Sequence, residues 1–299
     1  MKAFVVGATG ALGRETVAEL LARGHQVVAL ARTAAVESAF AQWGIPAVHG
    51  DIFDTAVLER GARDADAVFH LATRIPRKPI PRRRDFAETN RIRTEGTRRL
   101  AVAAKRVSAK ALLFQSIAFI YGDHRGAEVT ERTLPYDHPL IAAVLDGELT
   151  TLHSGLRGVV LRGGQFFQRG SYHTDWMAAA LRKRRLPLIG RGDAYVNPVH
   201  PRDLARAFVL AAEKETARGI YHVAAQPVEA RVLYTEWAHR LGAPPPRHLP
   251  YWLARLLLGE LAKLARFRYR VSSEKIRREL GFQFRFPTYE EILDDLIAA

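Results

Sequence analysis

The chain contains no cysteine. Disulfides, thiolate nucleophiles, cysteine-ligated zinc and iron–sulfur clusters are thereby excluded together. It also lacks any uninterrupted apolar run approaching the roughly 20 residues that cross a bilayer. The Met-Lys start enters Ala3-Phe4-Val5-Val6 without the apolar core and cleavage site of a secretory signal, so a cytoplasmic location is expected. Histidines are scattered, and no third ligand stands near His200 and Asp203, so no metal is expected. No Gly-x-Ser-x-Gly elbow is present, which leaves a hydrolase without support. Acidic residues are the scarcer sign, 31 against 45 basic, for a formal charge of +14. Such a charge suits nucleic acid, yet no helix-turn-helix, zinc finger or RNA-recognition motif accompanies it, and nucleic-acid binding is disfavoured.

What is present is an ordinary globular composition, 48% hydrophobic and 25% charged over 299 residues. That length fits one large α/β domain or a domain with a smaller annex. Short apolar runs at Phe4 to Val6, Val27 to Leu30, Ala47-Val48, Ala67 to Leu71, Ala111 to Phe114 and Val159 to Leu161 read as strands buried on both faces. Helical patterns such as Glu15 to Ala22, Val57 to Gly61 and Thr97 to Arg106 separate them. Alternation of this kind predicts a doubly wound α/β fold around a parallel sheet. After about residue 165 the rhythm becomes mostly helical, with Asp203 to Glu213, Leu233 to Leu241 and a leucine-rich helix from Trp252 to Phe267. The expected division is 1–165 with parts of 190–225 returning to it, and 166–299 as a smaller, mainly helical substrate domain.

The strongest local signal is Gly7-Ala8-Thr9-Gly10-Ala11-Leu12-Gly13, between the first strand and the first helix. Gly7 suits a tight turn, Gly10 lets backbone approach a pyrophosphate, and Gly13 lets the helix pack on the sheet. The helix N-terminus then faces the phosphates. Gly7, Thr9, Gly10, Ala11, Leu12 and Gly13 are therefore candidate cofactor contacts in a Rossmann-type domain. The second strand runs into Ala31-Arg32, where an acidic residue would accept from a free ribose 2′-hydroxyl and an arginine suits a 2′-phosphate. Arg32 thus points to NADP(H) rather than NAD(H).

With these features the chain resembles the extended short-chain dehydrogenase/reductases, the NAD-dependent epimerase/dehydratase family. Gly50-Asp51-Ile52 resembles its third-strand motif, and His70-Leu71-Ala72-Thr73 the fourth-strand motif. Phe114-Gln115-Ser116 with Tyr121-Gly122, Leu161-Arg162-Gly163-Gly164, Val199 to Ala205, Ser272 to Lys275 and Glu279 to Phe282 follow in family order. The resemblance implies cofactor contacts at Asp51, Ile52, Leu71, Ala72, Thr73, Gly163, Gly164 and Gln165. It also implies that His200 to Asp203 brace the substrate domain, and Asp203 suits a cap on the helix starting at Leu204. The family's catalytic Tyr and Lys, four residues apart, do not carry over. Registering on Glu148 puts Leu140 and Val144 at those positions, and Tyr136 is followed four residues on by Leu140. Ile117 stands where a Ser or Thr is usual, with Ser116 one position early, and Arg93 replaces the usual Asn, with Asn90 one turn before.

Substitute catalytic groups are sought among Ser116, Tyr136, Tyr172 and His173; Tyr121 and His138 read as structural and loop residues. The basic, proline-containing run Arg74 to Arg84 follows the fourth strand and could present cations to an anionic substrate. In the helix from Trp252, Leu253, Leu256, Leu257, Leu261 and Leu264 form an apolar stripe suited to a domain core, a homodimer seam or a membrane surface. The expected function is an NADP(H)-binding atypical member, an oxidoreductase or epimerase-like enzyme on a small carbonyl or hydroxyl compound, anionic or sugar-type. The alternative is a noncatalytic NADP-binding redox sensor or assembly factor.

Overall fold

The continuous apolar runs become parallel strands covered on both faces. A computed structural model of the chain describes residues 1–78 and 81–298, with every side chain among them except those of Glu260 and Leu261. The central sheet comprises β1 (Lys2–Val6), β2 (Gln26–Ala31), β3 (Ala47–His49), β4 (Ala67–His70), β5 (Ala111–Ile117), β6 (Arg157–Gly163) and β7 (Gly219–Val223). Their order is β7-β6-β5-β4-β1-β2-β3, and every pairing is parallel.

Strand alternation feeds two cores. Ala3, Val5, Phe69, Leu113 and Leu161 pack on one face with Leu12 and Leu20 of α1 (Ala11–Ala22) and Leu204 and Phe208 of α8 (Pro201–Glu213). Phe4, Val6, Val68 and Leu112 face the other way, against Leu58 of α3 (Thr55–Ala62) and Leu100 of α5 (Thr97–Arg106). α2 (Ala34–Gln42) is capped by Thr33, which accepts from the Val36 amide. Asp54 caps α3 in the same way, accepting from Ala56 and Val57. The strand order reverses between β1 and β4, which opens a crevice at their carboxyl ends.

The way into α5 is irregular. α4 (Ala87–Arg91) passes through a widened π-helical turn, Ile92–Gly96, before α5 begins. Turns of this kind occur mostly as single insertions, frequently at functional sites. α6 (Ala142–Leu152) packs beside β5 and β6. Beyond β6, α7 (Tyr172–Arg182), α9 (Ala230–Arg240) and α13 (Tyr289–Ile297) contribute to a separate core centred on Phe167, Trp237 and Leu293. α12 (Glu274–Leu280) returns Ile276 and Leu280 to the core on the α1 face of the sheet.

Two local expectations need correction. Pro201 occupies the first turn of α8, so His200 caps that helix by accepting from the Arg202 amide at 3.1 Å. Asp203 does not cap it. Fully buried, it accepts from the Arg285 and Phe286 amides, both at 2.8 Å, and so ties the chain before α13 to α8. The leucine-rich helix is also not continuous: Gly259, at φ +57°, ends α10 (Tyr251–Leu258) and α11 (Glu260–Leu264) follows. The stripe also does not share one buried face. Leu256 is 77% exposed while Leu264 faces inward, and the Leu261 side chain lies outside the described residues.

Candidate active site

The β1–α1 turn separates the work of its glycines. Gly7 lies at φ +96°, and a Cβ there would stand 2.6 Å from the Ala72 nitrogen, so the turns after β1 and β4 meet backbone to backbone. A Cβ on Gly13 would lie 2.0 Å from the Gly7 carbonyl oxygen. Both positions are closed by the protein's own packing. Gly10 differs: its nearest such contact is 3.4 Å, with ordinary φ of −70° and ψ of 169°. No side chain among the described residues caps α1, and its first turn carries no acidic residue. The amides of Ala11, Leu12 and Gly13 thus meet an exposed surface at Thr9 and Gly10 with the positive end of the helix dipole behind them. This arrangement fits the pyrophosphate of a dinucleotide.

The rim beside this cradle is basic. Glu88 sits between two guanidinium groups, Arg74 at 3.0 Å and Arg32 at 4.0 Å. Arg74 is held through its backbone, whose N–H and carbonyl both bond the Thr89 hydroxyl. Asp51 folds over its own turn, accepting from the Phe53 amide at 3.0 Å, and Ile52 is buried against Gly96. Leu71 is buried and donates its amide to the Val6 carbonyl, while Ala72 and Thr73 are half-buried beside the cradle. In the basic run 74–84, Pro79 and Ile80 lie outside the described residues.

Further along the same sheet edge, the chain forms a partly open cavity of about 260 Å³. Ala118 and Phe119 after β5, and Gly164 and Gln165 after β6, form its inner wall. Leu188, Tyr195, Tyr234, Leu264, Phe267 and Tyr269 are among the residues that complete it. A Cβ on Gly163 would strike Leu204 at 2.6 Å, and one on Gly164 would strike the Asn197 carbonyl oxygen at 2.2 Å. Packing alone therefore accounts for both glycines, whereas Gln165 is exposed and lines the cavity.

A buried polar chain runs behind this wall. Arg162 donates to Glu148 from Nε at 2.8 Å and from a terminal nitrogen at 2.6 Å, and both side chains are almost fully buried. Ser116 donates to the same carboxylate. Arg162 also donates to the Tyr121 hydroxyl at 2.7 Å, which lies 2.6 Å from His222 Nε2. Burial, reinforced by the positive charge of Arg162, pushes the His222 pKa down to about 3, so the ring is neutral at neutral pH. Its Nδ1–H then donates to the Ser272 carbonyl and its Nε2 accepts from Tyr121. Burial likewise pushes Tyr121 up to about 12. Each member is satisfied, as a low-dielectric network requires.

Residues 3–224 match the model of the NAD dependent epimerase/dehydratase family, and residues 249–296 match that of DUF1731, a domain of unknown function. The chain belongs to the NAD-dependent epimerase/dehydratase family. It is 35% identical to the 3-diazoavenalumate denitrifying reductase of a Streptomyces species, over 97% of this chain and 98% of that one. Its fold matches human epimerase family protein SDR39U1 with NADPH at a TM-score of 0.79 and 22% identity, over 99% of each chain. It matches DesIV, a dTDP-glucose 4,6-dehydratase from Streptomyces venezuelae with NAD and TYD bound, at 0.80 and 22%, over 99% and 96%. The fold is that of the extended short-chain dehydrogenase/reductases, and no helix among the described residues is long and apolar enough to cross a membrane.

Within that family frame, Val144 is fully buried in α6, and Leu140 lies in the turn before it; neither carries a titratable proton. The catalytic candidates fall into three separate places. Ser116 is 1% exposed, its hydroxyl committed to Glu148. Tyr136 stacks on His138 and packs edge-on against Phe267, with centroids 5.2 Å apart, which places it one ring from the cavity. Its hydroxyl accepts from Lys263 Nζ at 2.7 Å. Tyr172 and His173 open α7 away from the cavity lining, under the Arg77 guanidinium at 5.7 Å. Burial, and then Arg77, lower the pKa of His173.

Arg93 stands in the π-helical turn, 5% exposed, with no hydrogen bond to its Nε among the described residues. Burial alone lowers its pKa to about 10. Its charge adds to burial in holding the neighbouring His70 at about 4. Sequence reasoning missed the Lys263–Tyr136 contact and the Glu148–Arg162 pair. The first spans 127 residues. The second had a sequence signal, because an acid and an arginine both fall in apolar surroundings where unpaired charge is costly.

Proposed function

We propose that this chain is an NADP(H)-dependent reductase of a small organic substrate. The observation that carries the reading is an open helix-terminal anion cradle sharing one sheet edge with a partly open cavity. Gly10 and the first amides of α1 hold the pyrophosphate, and Ile52 packs at the adenine end. Arg32 and Arg74 share one carboxylate, so a net positive charge remains for a 2′-phosphate, which supports NADP(H) over NAD(H). A bound nicotinamide supplies the hydride. The Glu148–Arg162 network holds the ends of β5 and β6 in register beneath the cavity wall.

Tyr136 serves as proton donor. Its hydroxyl accepts from Lys263 Nζ, which fixes its orientation, and it adjoins the cavity through Phe267. The 35% identical relative is named a denitrifying reductase of a diazo compound, which supports a reductive direction. Apolar Leu140 and Val144 favour the second reading, a noncatalytic NADP-binding sensor or assembly factor. A panel of ketones, enones, diazo compounds and sugar nucleotides with NADPH separates the two. A reductase oxidises NADPH with some member, and Tyr136→Phe then lowers turnover of carbonyl substrates by about 100-fold at unchanged NADPH affinity. Tight NADPH binding with no turnover across the panel favours the sensor.

A further inference from the structure

The cavity beyond Phe119 has chemistry of its own, and identifying its occupant as substrate rests on the reductase reading above. Five aromatic residues line it, Phe119, Tyr195, Tyr234, Phe267 and Tyr269. No Lys, Arg, His, Asp or Glu lines it among the described residues. We propose that this cavity takes the neutral, planar ring system of an aromatic substrate, with an oxygen or nitrogen acceptor on that ring turned to the Tyr234 hydroxyl.

Charge decides against a sugar diphosphate, or any other anionic group, inside this space. Moving an ionised phosphate or carboxylate out of water without a cation or a set of donors costs far more than a few hydrogen bonds return. The one buried amide cannot serve, because Asn197 is already engaged. Its oxygen accepts from the Val271 amide at 2.8 Å and its nitrogen donates to the Tyr269 carbonyl at 3.4 Å, fixing the aromatic wall. The cations of the basic loop do not reach the lining; Arg77 stands over Tyr172, outside it.

Tyr234 supplies the polar contact. Its hydroxyl makes no hydrogen bond to a described residue, and burial pushes its pKa up to about 12, so it stays a neutral donor through the physiological range. Aromatic walls favour offset or edge-to-face contact with a flat ligand ring. At about 260 Å³ the space is slightly smaller than the roughly 300–1,000 Å³ of most small-molecule sites, enough for one or two fused rings.

Equilibrium binding to the full chain, with and without NADPH, tests this with 2-naphthol, naphthalene and UDP as probes. 2-Naphthol should bind, UDP should not compete with it, and Tyr234→Phe should weaken 2-naphthol by about fivefold to tenfold while leaving naphthalene unchanged. Ala265→Trp, at an exposed lining position, should block both aromatic probes. The first substitution removes one oxygen and the second is at the surface, so both chains should keep the wild-type circular dichroism. Tighter binding of UDP than of 2-naphthol, or 2-naphthol binding indifferent to both substitutions, overturns the proposal. A chain that binds NADPH but no aromatic probe refutes the cavity inference alone. One that binds 2-naphthol at this site but not NADPH refutes the cofactor reading alone.

Discussion

The turn after β1 and the end of β5 lie on one sheet edge, yet they constrain sequence in opposite ways. At the turn, the missing side chains of Gly7 and Gly13 are dictated by backbone atoms less than 3 Å from where a Cβ would stand. At the end of β5, Ile117 and Ala118 face side chains, and the network behind them is held by pairs drawn from β5, α6, β6 and β7. Backbone contact leaves almost no choice of residue. Side-chain contact leaves many, provided partners change together, and catalytic positions can therefore drift while the cofactor turn stays recognisable.

Substitutions can break this contrast. The largest effect is expected from Glu148→Leu, which strands Arg162 in the interior and should cost about 3–5 kcal/mol in chemical denaturation. Gly13→Ala should follow, losing about 1–3 kcal/mol as α1 is pushed from the turn, with NADPH binding lost as well.

Acid should act on the side-chain network as well. His222 and His70 are neutral in the fold at pKa values of about 3 and 4, against 6.5 in the unfolded chain. Both folded values are depressed, so between pH 6.5 and about 4.5 the unfolded state binds the extra protons and stability falls with falling pH. Two such groups give a slope approaching about 2.7 kcal/mol per pH unit, visible as a falling urea midpoint. His70→Leu, which removes one of the two buried neutral rings, should flatten part of that slope. A smaller, selective effect is expected at Arg32→Ala: NADPH affinity about tenfold weaker and NADH affinity unchanged in calorimetric titration. Leu256→Ser, on the exposed side of α10, should move stability by less than about 0.5 kcal/mol.

The same contrast explains what could be read from the sequence. The parallel sheet was legible because strands buried on both faces must be apolar throughout, and the cradle because its glycines obey a backbone rule. The cavity was not, since its walls come from five stretches between Ala118 and Tyr269 that only the fold assembles. Asp203 was misread as a helix cap because an acid early in a helix ordinarily caps it, whereas Pro201 moves the start and frees Asp203 for the Arg285 and Phe286 amides. The apolar stripe after Trp252 has helical spacing in the sequence, but Gly259 ends α10 after Leu258, and Leu256 is already exposed within that helix. Lys263 gave no signal at all beside Tyr136, since nothing local relates residues 127 positions apart.

Gly10 offers the most direct test of the cofactor reading, because no packing among the described residues requires it to be glycine. Its backbone already has the extended geometry of a helix cap, so Gly10→Ser should leave the melting temperature unchanged or raised, by capping α1. The decisive measurement is the NADPH affinity of this variant beside that of the wild-type chain. A loss of at least about tenfold in a fully folded protein is the expected result, because the added side chain occupies the space left for the pyrophosphate. Equal affinity in the two proteins would place the dinucleotide elsewhere and contradict the site.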